Sequence, residues 1–245
     1  PLCNVLMIMF ENQDLETHEK VDILTKVADI RERRLNDSRG AFDALSQAMQ
    51  VDCESDLVYD EITRVALEQD FASDYCSLLE GLVEDCKDDM VKAKFMLAIA
   101  KVYDERLAEE DKAKAAYDAL LKHSPEDAEV ALPAIEALDR IFSANEAYSD
   151  LLGILRQKVD LLQDPVDQRD VLHRMAEIEE TVLENGERAV ELYREIVDLD
   201  ETDIRALSGL ERLYTLLERW RELIEVLQNR ANYEEDNEAR KEIML

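Results

Sequence analysis

One pattern, a pair of amphipathic helices joined by a short turn, recurs through this chain at a near-constant interval and constrains its fold more than any other feature. It is cleanest between Leu172 and Leu227. Apolar or small residues fall at Leu172, Met175, Ala176, Val182 and Leu183, break at Asn185 and Gly186, and resume at Ala189, Leu192, Tyr193, Ile196 and Val197. The scheme returns with Leu207, Leu210, Leu213, Tyr214 and Leu217, then Trp220, Leu223, Ile224 and Leu227. Spacings of three and four put each set on one helical face. Asp200 and Thr202 are the expected caps between the two pairs.

The same landmarks run upstream. Met7, Leu79, Leu155 and Leu227 hold one position of a closing helix at intervals of 72, 76 and 72 residues, and Ala28, Ala100 and Ala176 hold one position of an opening helix. Each of these alanines is followed 13 residues later by another, Ala41, Ala113 or Ala189, and then four further on by Leu45, Tyr117 or Tyr193. Small residues let facing helices approach closely, and the larger ones fill the space beside the crossing. A single hairpin cannot bury its own stripes, so hairpins of this kind stack. The expected fold is all-α: an α-solenoid of stacked antiparallel helical hairpins wound as a right-handed superhelix. One array is expected to cover 1–245 in double repeats, with partial repeats at 1–15 and 236–245 that suggest a fragment of a longer chain.

Composition agrees. Only 5 Gly and 4 Pro punctuate 245 residues, few for a β protein, and 47% apolar content supplies a large core. The opening PLCNVLMIMF is too short to span a bilayer and lacks the basic flank and cleavage site of a signal peptide, so it reads as the second helix of a preceding hairpin. Within PEDAEVALPAIEAL, where the interval stretches to 76, a helix from Pro125 with a bend at Pro133 is expected. Asp164 and Pro165 form a cap and first-turn pair for the next helix.

The net charge of −30, from 59 acids against 29 bases, argues against nucleic acid and anionic membrane surfaces as partners, since both are bound through Lys and Arg. Either a solvated surface or a basic protein partner accounts for the acidity. Residues 52–89 carry 13 acids against Arg64 and Lys87 alone, which makes this stretch the expected docking surface for a basic ligand. Residues 20–39, with Lys20, Lys26, Arg31, Arg33, Arg34 and Arg39, are the counterpart for an acidic ligand or a neighbouring copy. Cys3, Cys53, Cys76 and Cys86 show no metal-ligand spacing, and the expectation is free thiols in a reducing, cytoplasmic setting. His18, His123 and His173 lie in different repeats without a nucleophile or paired carboxylate nearby in sequence, and His123 takes a core or boundary slot. No catalytic residue, cofactor or metal site is expected.

Unit length, the placement of small and aromatic residues, and the Asp or Pro between repeats resemble tetratricopeptide (TPR) repeats over essentially the whole chain. The likeness is degenerate: the Ala-to-Ala interval is 13 rather than the family's 12, the early Trp of helix A is missing, and Trp220 opens a helix B. The resemblance implies a non-enzymatic scaffold that receives a peptide or partner helix on its concave face. Chaperone adaptors of the family clamp a terminal carboxylate with Lys and Asn on helix A. The matching positions here hold Asp22, Thr25, Lys26 and Asp29, then Lys94, Leu97, Ala98 and Lys101, then Asp170, His173, Arg174 and Glu177, so the clamp is not reproduced.

Register singles out six further residues. Arg64, Arg140 and Arg212 share one position of alternate A helices, and Glu32, Asp104 and Glu180 share one position of the others. Two readings follow: an inter-repeat ladder of acids and arginines on the concave side, or arginines free to fork onto a ligand carboxylate or phosphate. Beyond a scaffold, a regulatory or spacer region of a larger protein and a module that self-associates through its end repeats are the alternatives.

Overall fold

The computed structural model describes residues 2–11 and 15–233, so the repeat expected at 236–245 lies outside the described residues. Helix α1 is Leu2–Phe10, and six hairpins follow among the described residues. They are α2 (Thr17–Leu35) with α3 (Ser38–Val51), α4 (Asp56–Glu68) with α5 (Ala72–Asp85), and α6 (Asp89–Glu105) with α7 (Glu110–His123). Next come α8 (Ala128–Ala144) with α9 (Tyr148–Leu161), α10 (Pro165–Glu177) with α11 (Gly186–Leu199), and α12 (Ile204–Leu216) with α13 (Trp220–Tyr233). No strand occurs among the described residues. The chain divides into two compact units, 1–134 and 135–245, and the division falls within α8 just after Pro133. In each unit, successive helices pack on one another as an α-solenoid.

The alanine pairs mark the crossings. Ala28 and Ala41, Ala100 and Ala113, and Ala176 and Ala189 are all buried, as are Leu45, Tyr117 and Tyr193 beside them. Gly209 extends the device to α12: a Cβ there would stand 2.7 Å from the Tyr193 ring, so only glycine admits this approach. The usual helix-interior cost of glycine, about 1 kcal/mol against alanine, is offset by that ring contact.

Among the described residues, the first, or A, helix of each hairpin (α10 counted with its continuation Ile178–Val182) is followed within three residues by one in the left-handed region: Asn36, Asp70, Ala108, Glu146, Glu184 and Glu218, with φ between 53° and 61°. None is glycine. The bond that closes each turn alternates. In the odd hairpins Asp37, Glu109 and Asn185 donate to carbonyls six residues back (Arg31, Tyr103 and Glu179), whereas in the even hairpins Phe71, Ala147 and Arg219 donate five residues back (Ala66, Phe142 and Tyr214). The five-residue span is the Schellman closure, and the other is one residue wider. This alternation is the backbone counterpart of the double repeat, and the wider turn matches the 13-residue alanine interval of the odd hairpins.

Local details depart from expectation in several places. α8 begins at Ala128, behind an Asp127 whose side chain accepts from the Glu129 amide, so Pro125 lies outside the helix and Pro133 inside it. Pro133 deprives the Glu129 carbonyl of its helical donor, which is tolerable on an exposed first turn. α10 is capped by Asp164 with Pro165 at its start. The cap of α12 is Asp203, which accepts from the Ala206 amide; Asp200 instead accepts from the amide and hydroxyl of Thr202 within the preceding turn. A π turn, Ile178–Val182, continues α10. Its wider turn, with more residues per turn than an α-helix, turns Ile178 inward and leaves Val182 and Leu183 exposed, contrary to their place in the sequence pattern. Trp220 and Ile224 are likewise exposed, because α13 buries Val226 and Ala231 instead. His123 ends α7 exposed, 3.9 Å from Asp89.

Candidate functional site

A groove of about 150 Å³ opens in the first unit where α2, α3 and α4 meet. Helix α2 contributes Thr25, Ala28, Asp29, Glu32 and Arg33, α3 contributes Leu45, and α4 contributes Leu57 and Glu61. Each is set by helical register. Val21, Leu24, Val27 and Ala28 form the buried stripe of α2, which turns Thr25, Asp29 and Glu32 toward the groove. On α4, Val58, Ile62, Val65 and Ala66 face the core, and Leu57, one step off that stripe, stands 63% exposed at the rim. The Thr25 hydroxyl is occupied, donating to the Val21 carbonyl at 2.8 Å.

The groove's cations are already engaged. The Arg64 guanidinium donates to both Glu32 oxygens at 2.9 and 2.8 Å and also to Glu61 and Glu68, while Arg33 pairs with Asp29 at 2.9 Å. Arg64 holds the Glu32 carboxyl below the usual carboxylate range, chiefly by hydrogen bonding, and Glu32 followed by Glu61 raises the Arg64 pKa. Three carboxylates (Asp29, Glu32 and Glu61) thus line the groove against Arg33, with Arg64 paired beside it, leaving an anionic groove with an apolar floor.

In the second unit Arg212 on α12 donates to both oxygens of Glu180 at 2.7 Å, and Tyr193 donates to Glu180 at 3.1 Å. Arg212 lowers the Glu180 pKa, again mainly through hydrogen bonding. Asp104 lies on α6 in the first unit, where the Tyr117 hydroxyl points at it from 3.5 Å, and Arg140 lies on α8 in the second. Both are engaged by neighbours.

Further bridges join alternate helices at sequence separations the register did not single out. Lys94 on α6 meets Asp56 on α4 at 2.6 Å, Arg174 on α10 holds Asp139 on α8 at 2.5 and 2.6 Å, and Arg156 on α9 holds Glu195 on α11 at 2.7 Å. Lys94 and Arg174 occupy clamp positions, so these cations are committed to the array itself. His173, buried on α10, lies 3.0 Å from Asp203, a carboxylate thirty residues on that local spacing does not reveal. The basic cluster at 20–39 is largely spent in the same way: Lys26 pairs with Asp22, Arg39 with Asp43 and Asp74, and Arg31 donates to the Gly40 carbonyl.

Among the described residues, no group of three or more His, Cys, Asp or Glu is placed to hold a metal ion, and no helix is long and apolar enough to cross a membrane. Leu57 and Glu61 are the groove residues the sequence did not single out, and the signal for Leu57 was an apolar side chain one step off the stripe of α4.

No family model and no curated protein matches the chain. Among solved structures it is similar to YrrB, a TPR protein with an unusual peptide-binding site, at 13% identity and a TM-score of 0.42, over 84% of this chain and 98% of that one. It is similar to a tetratricopeptide repeat protein from Parabacteroides merdae at 15% identity and a TM-score of 0.43, over 91% and 84%. A thermophilic TPR protein from Thermus thermophilus, TTC0263, aligns at 14% identity and a TM-score of 0.32, over 78% and 98%. On its own geometry of consecutive hairpins crossing at small residues, the chain is an α-solenoid whose hairpins alternate in their turns.

Proposed function

We propose that this protein is a non-enzymatic interaction scaffold, built as one continuous array, that receives a basic peptide or partner helix along its A helices, with the α2–α3–α4 groove as the principal seat. One observation carries this reading: exposed Leu57 stands in a groove lined by three carboxylates, Asp29, Glu32 and Glu61, against one guanidinium, Arg33, that is already paired. An apolar anchor residue of the ligand packs on Leu57, Ala28 and Leu45, and a neighbouring Lys or Arg meets Asp29 and Glu61.

The test is an array of basic amphipathic peptides, screened against the full chain by fluorescence anisotropy at low and high salt. Binding that weakens with salt, and that Leu57→Asp and Glu61→Lys each reduce tenfold or more (about 1.4 kcal/mol), supports the reading. Equal binding by the variants, or binding only of acidic peptides, sinks it.

A second reading, self-association, is favoured by apolar side chains exposed on α1 (Val5, Ile8 and Met9) and α13 (Trp220 and Ile224). Light scattering at constant mass over a wide concentration range would rule it out.

A further inference from the structure

Cys53 lies in the turn between α3 and α4, and Cys86 immediately follows α5 at the approach to α6. Their sulfurs are 3.8 Å apart although 33 residues separate them in sequence. The two thiols are ordered head to tail. Cys53 donates to the Cys86 sulfur, and Cys86 donates to the Asp88 carbonyl at 3.5 Å. Cys86 is buried, whereas Cys53 is half-buried and packs against the apolar core of the first unit.

We propose that Cys53 and Cys86 form a reversible dithiol–disulfide pair, closed by a small-molecule disulfide such as oxidised glutathione, that staples the α3–α4 turn to the α5–α6 turn. The more accessible Cys53 reacts first. Its thiolate attacks one sulfur of the oxidant, forms a mixed disulfide and expels one thiolate. The Cys86 thiolate then attacks the Cys53 sulfur and expels the second. Two electrons pass from the protein to the oxidant, and the two protons lost by the cysteines end on the two released small thiols. Closing the bond brings the sulfurs from 3.8 Å to about 2.05 Å, a movement that side-chain rotation and slight turn adjustment supply.

The bridged positions bracket one hairpin. Cys53 precedes α4 by three residues, and Cys86 follows the last residue of α5, so the disulfide joins the entry of the hairpin to its exit. In the reduced protein this hairpin opens as a unit of a solenoid held by its neighbours; in the oxidised protein its ends cannot separate. Burial, then contact with Cys86 and the charge of Glu54, push the Cys53 thiol up to about 11. Exchange is therefore slow near neutrality and quickens in mild alkali.

The experiment treats the 245-residue chain with oxidised glutathione at mildly alkaline pH, alkylates the remaining thiols, digests without reduction and maps the peptides by mass spectrometry. The expected product is a peptide pair linked through Cys53 and Cys86 within one chain, two hydrogens lighter, and restored by dithiothreitol. Amide exchange across α4 and α5 slows roughly tenfold or more in the oxidised form. Cys86→Ser should instead accumulate glutathione on Cys53. A stable glutathione adduct on Cys53 of the wild type, a link to Cys3 or Cys76, or both thiols recovered alkylated after prolonged oxidation would each overturn the proposal. Because the decisive mapping is made on the wild type, a misfolded variant does not rescue it.

Discussion

Glu32 and Arg64 stand 32 residues apart in the chain yet meet through two hydrogen bonds, each carboxylate oxygen accepting from its own guanidinium nitrogen at 2.9 and 2.8 Å. Glu180 and Arg212 repeat the arrangement in the second unit at the same separation. Both pairs join the A helix of an odd hairpin to that of the next. Their side chains are partly exposed, so water screens them and each pair contributes about 0–1 kcal/mol. Their planar, two-point geometry fixes how each guanidinium faces its carboxylate.

A double-mutant cycle on Glu180→Ala and Arg212→Ala should therefore give a coupling of about 0.3–1 kcal/mol at low ionic strength, nearly vanishing in 1 M salt, where the Debye length is about 3 Å. Urea midpoints of the four proteins supply the numbers. A coupling above about 2 kcal/mol, or one indifferent to salt, would contradict the exposed-pair account.

The acid limb of stability follows from the same carboxylates. Folding lowers the pKa values of Glu32 and Glu180 from the ordinary 4.5, so their contribution is complete above that value and is lost as pH falls through their folded pKa values. Thermal midpoints measured from pH 6 downward should stay level until near 4.5 and then drop. Glu32→Gln together with Glu180→Gln should make that drop shallower.

Gly209→Ala should destabilise the protein by about 1–3 kcal/mol although alanine is the better helix former, because the added methyl meets the Tyr193 ring. In a Tyr193→Ala background the same change should be neutral or stabilising. Chemical denaturation of the single and double variants decides it; the same cost in both backgrounds would clear Tyr193 of responsibility.

Ala176 and Glu177 offer a test of register on adjacent residues. Ala176→Leu overpacks a fully buried crossing and should cost about 1–3 kcal/mol, whereas Glu177→Leu, on the exposed side of α10 beside Arg205, should cost well under half of that. Comparable losses in denaturant midpoint would mean the crossing is not where the structure puts it.

Ala108 is the left-handed residue with the least to offset its conformation, at φ 53°. Replacing it by glycine should stabilise the α6–α7 turn by up to about 1 kcal/mol. The measurement is the thermal midpoint, and a fall instead of a rise would count against strain at this turn.

The amino-acid sequence by itself determined the hairpins, their stacking and the residues at each crossing, because helical periodicity and side-chain volume are local properties carried by residues such as Ala28, Ala41 and Tyr193. The separation of Glu32 from Arg64 was legible for the same reason, as a recurrence in register. Whether two side chains meet is another matter, decided by how one hairpin rotates on the next, and a shift of a single residue in a turn is enough to change it. That is why Asp203 caps α12 in place of Asp200, why the π turn leaves Val182 and Leu183 in solvent, and why the turns alternate without a glycine to announce them. Tertiary packing alone brought Lys94 to Asp56 and His173 to Asp203, since these pairs come together only when successive hairpins settle side by side, and Cys53 meets Cys86 only when the α4–α5 hairpin closes between them.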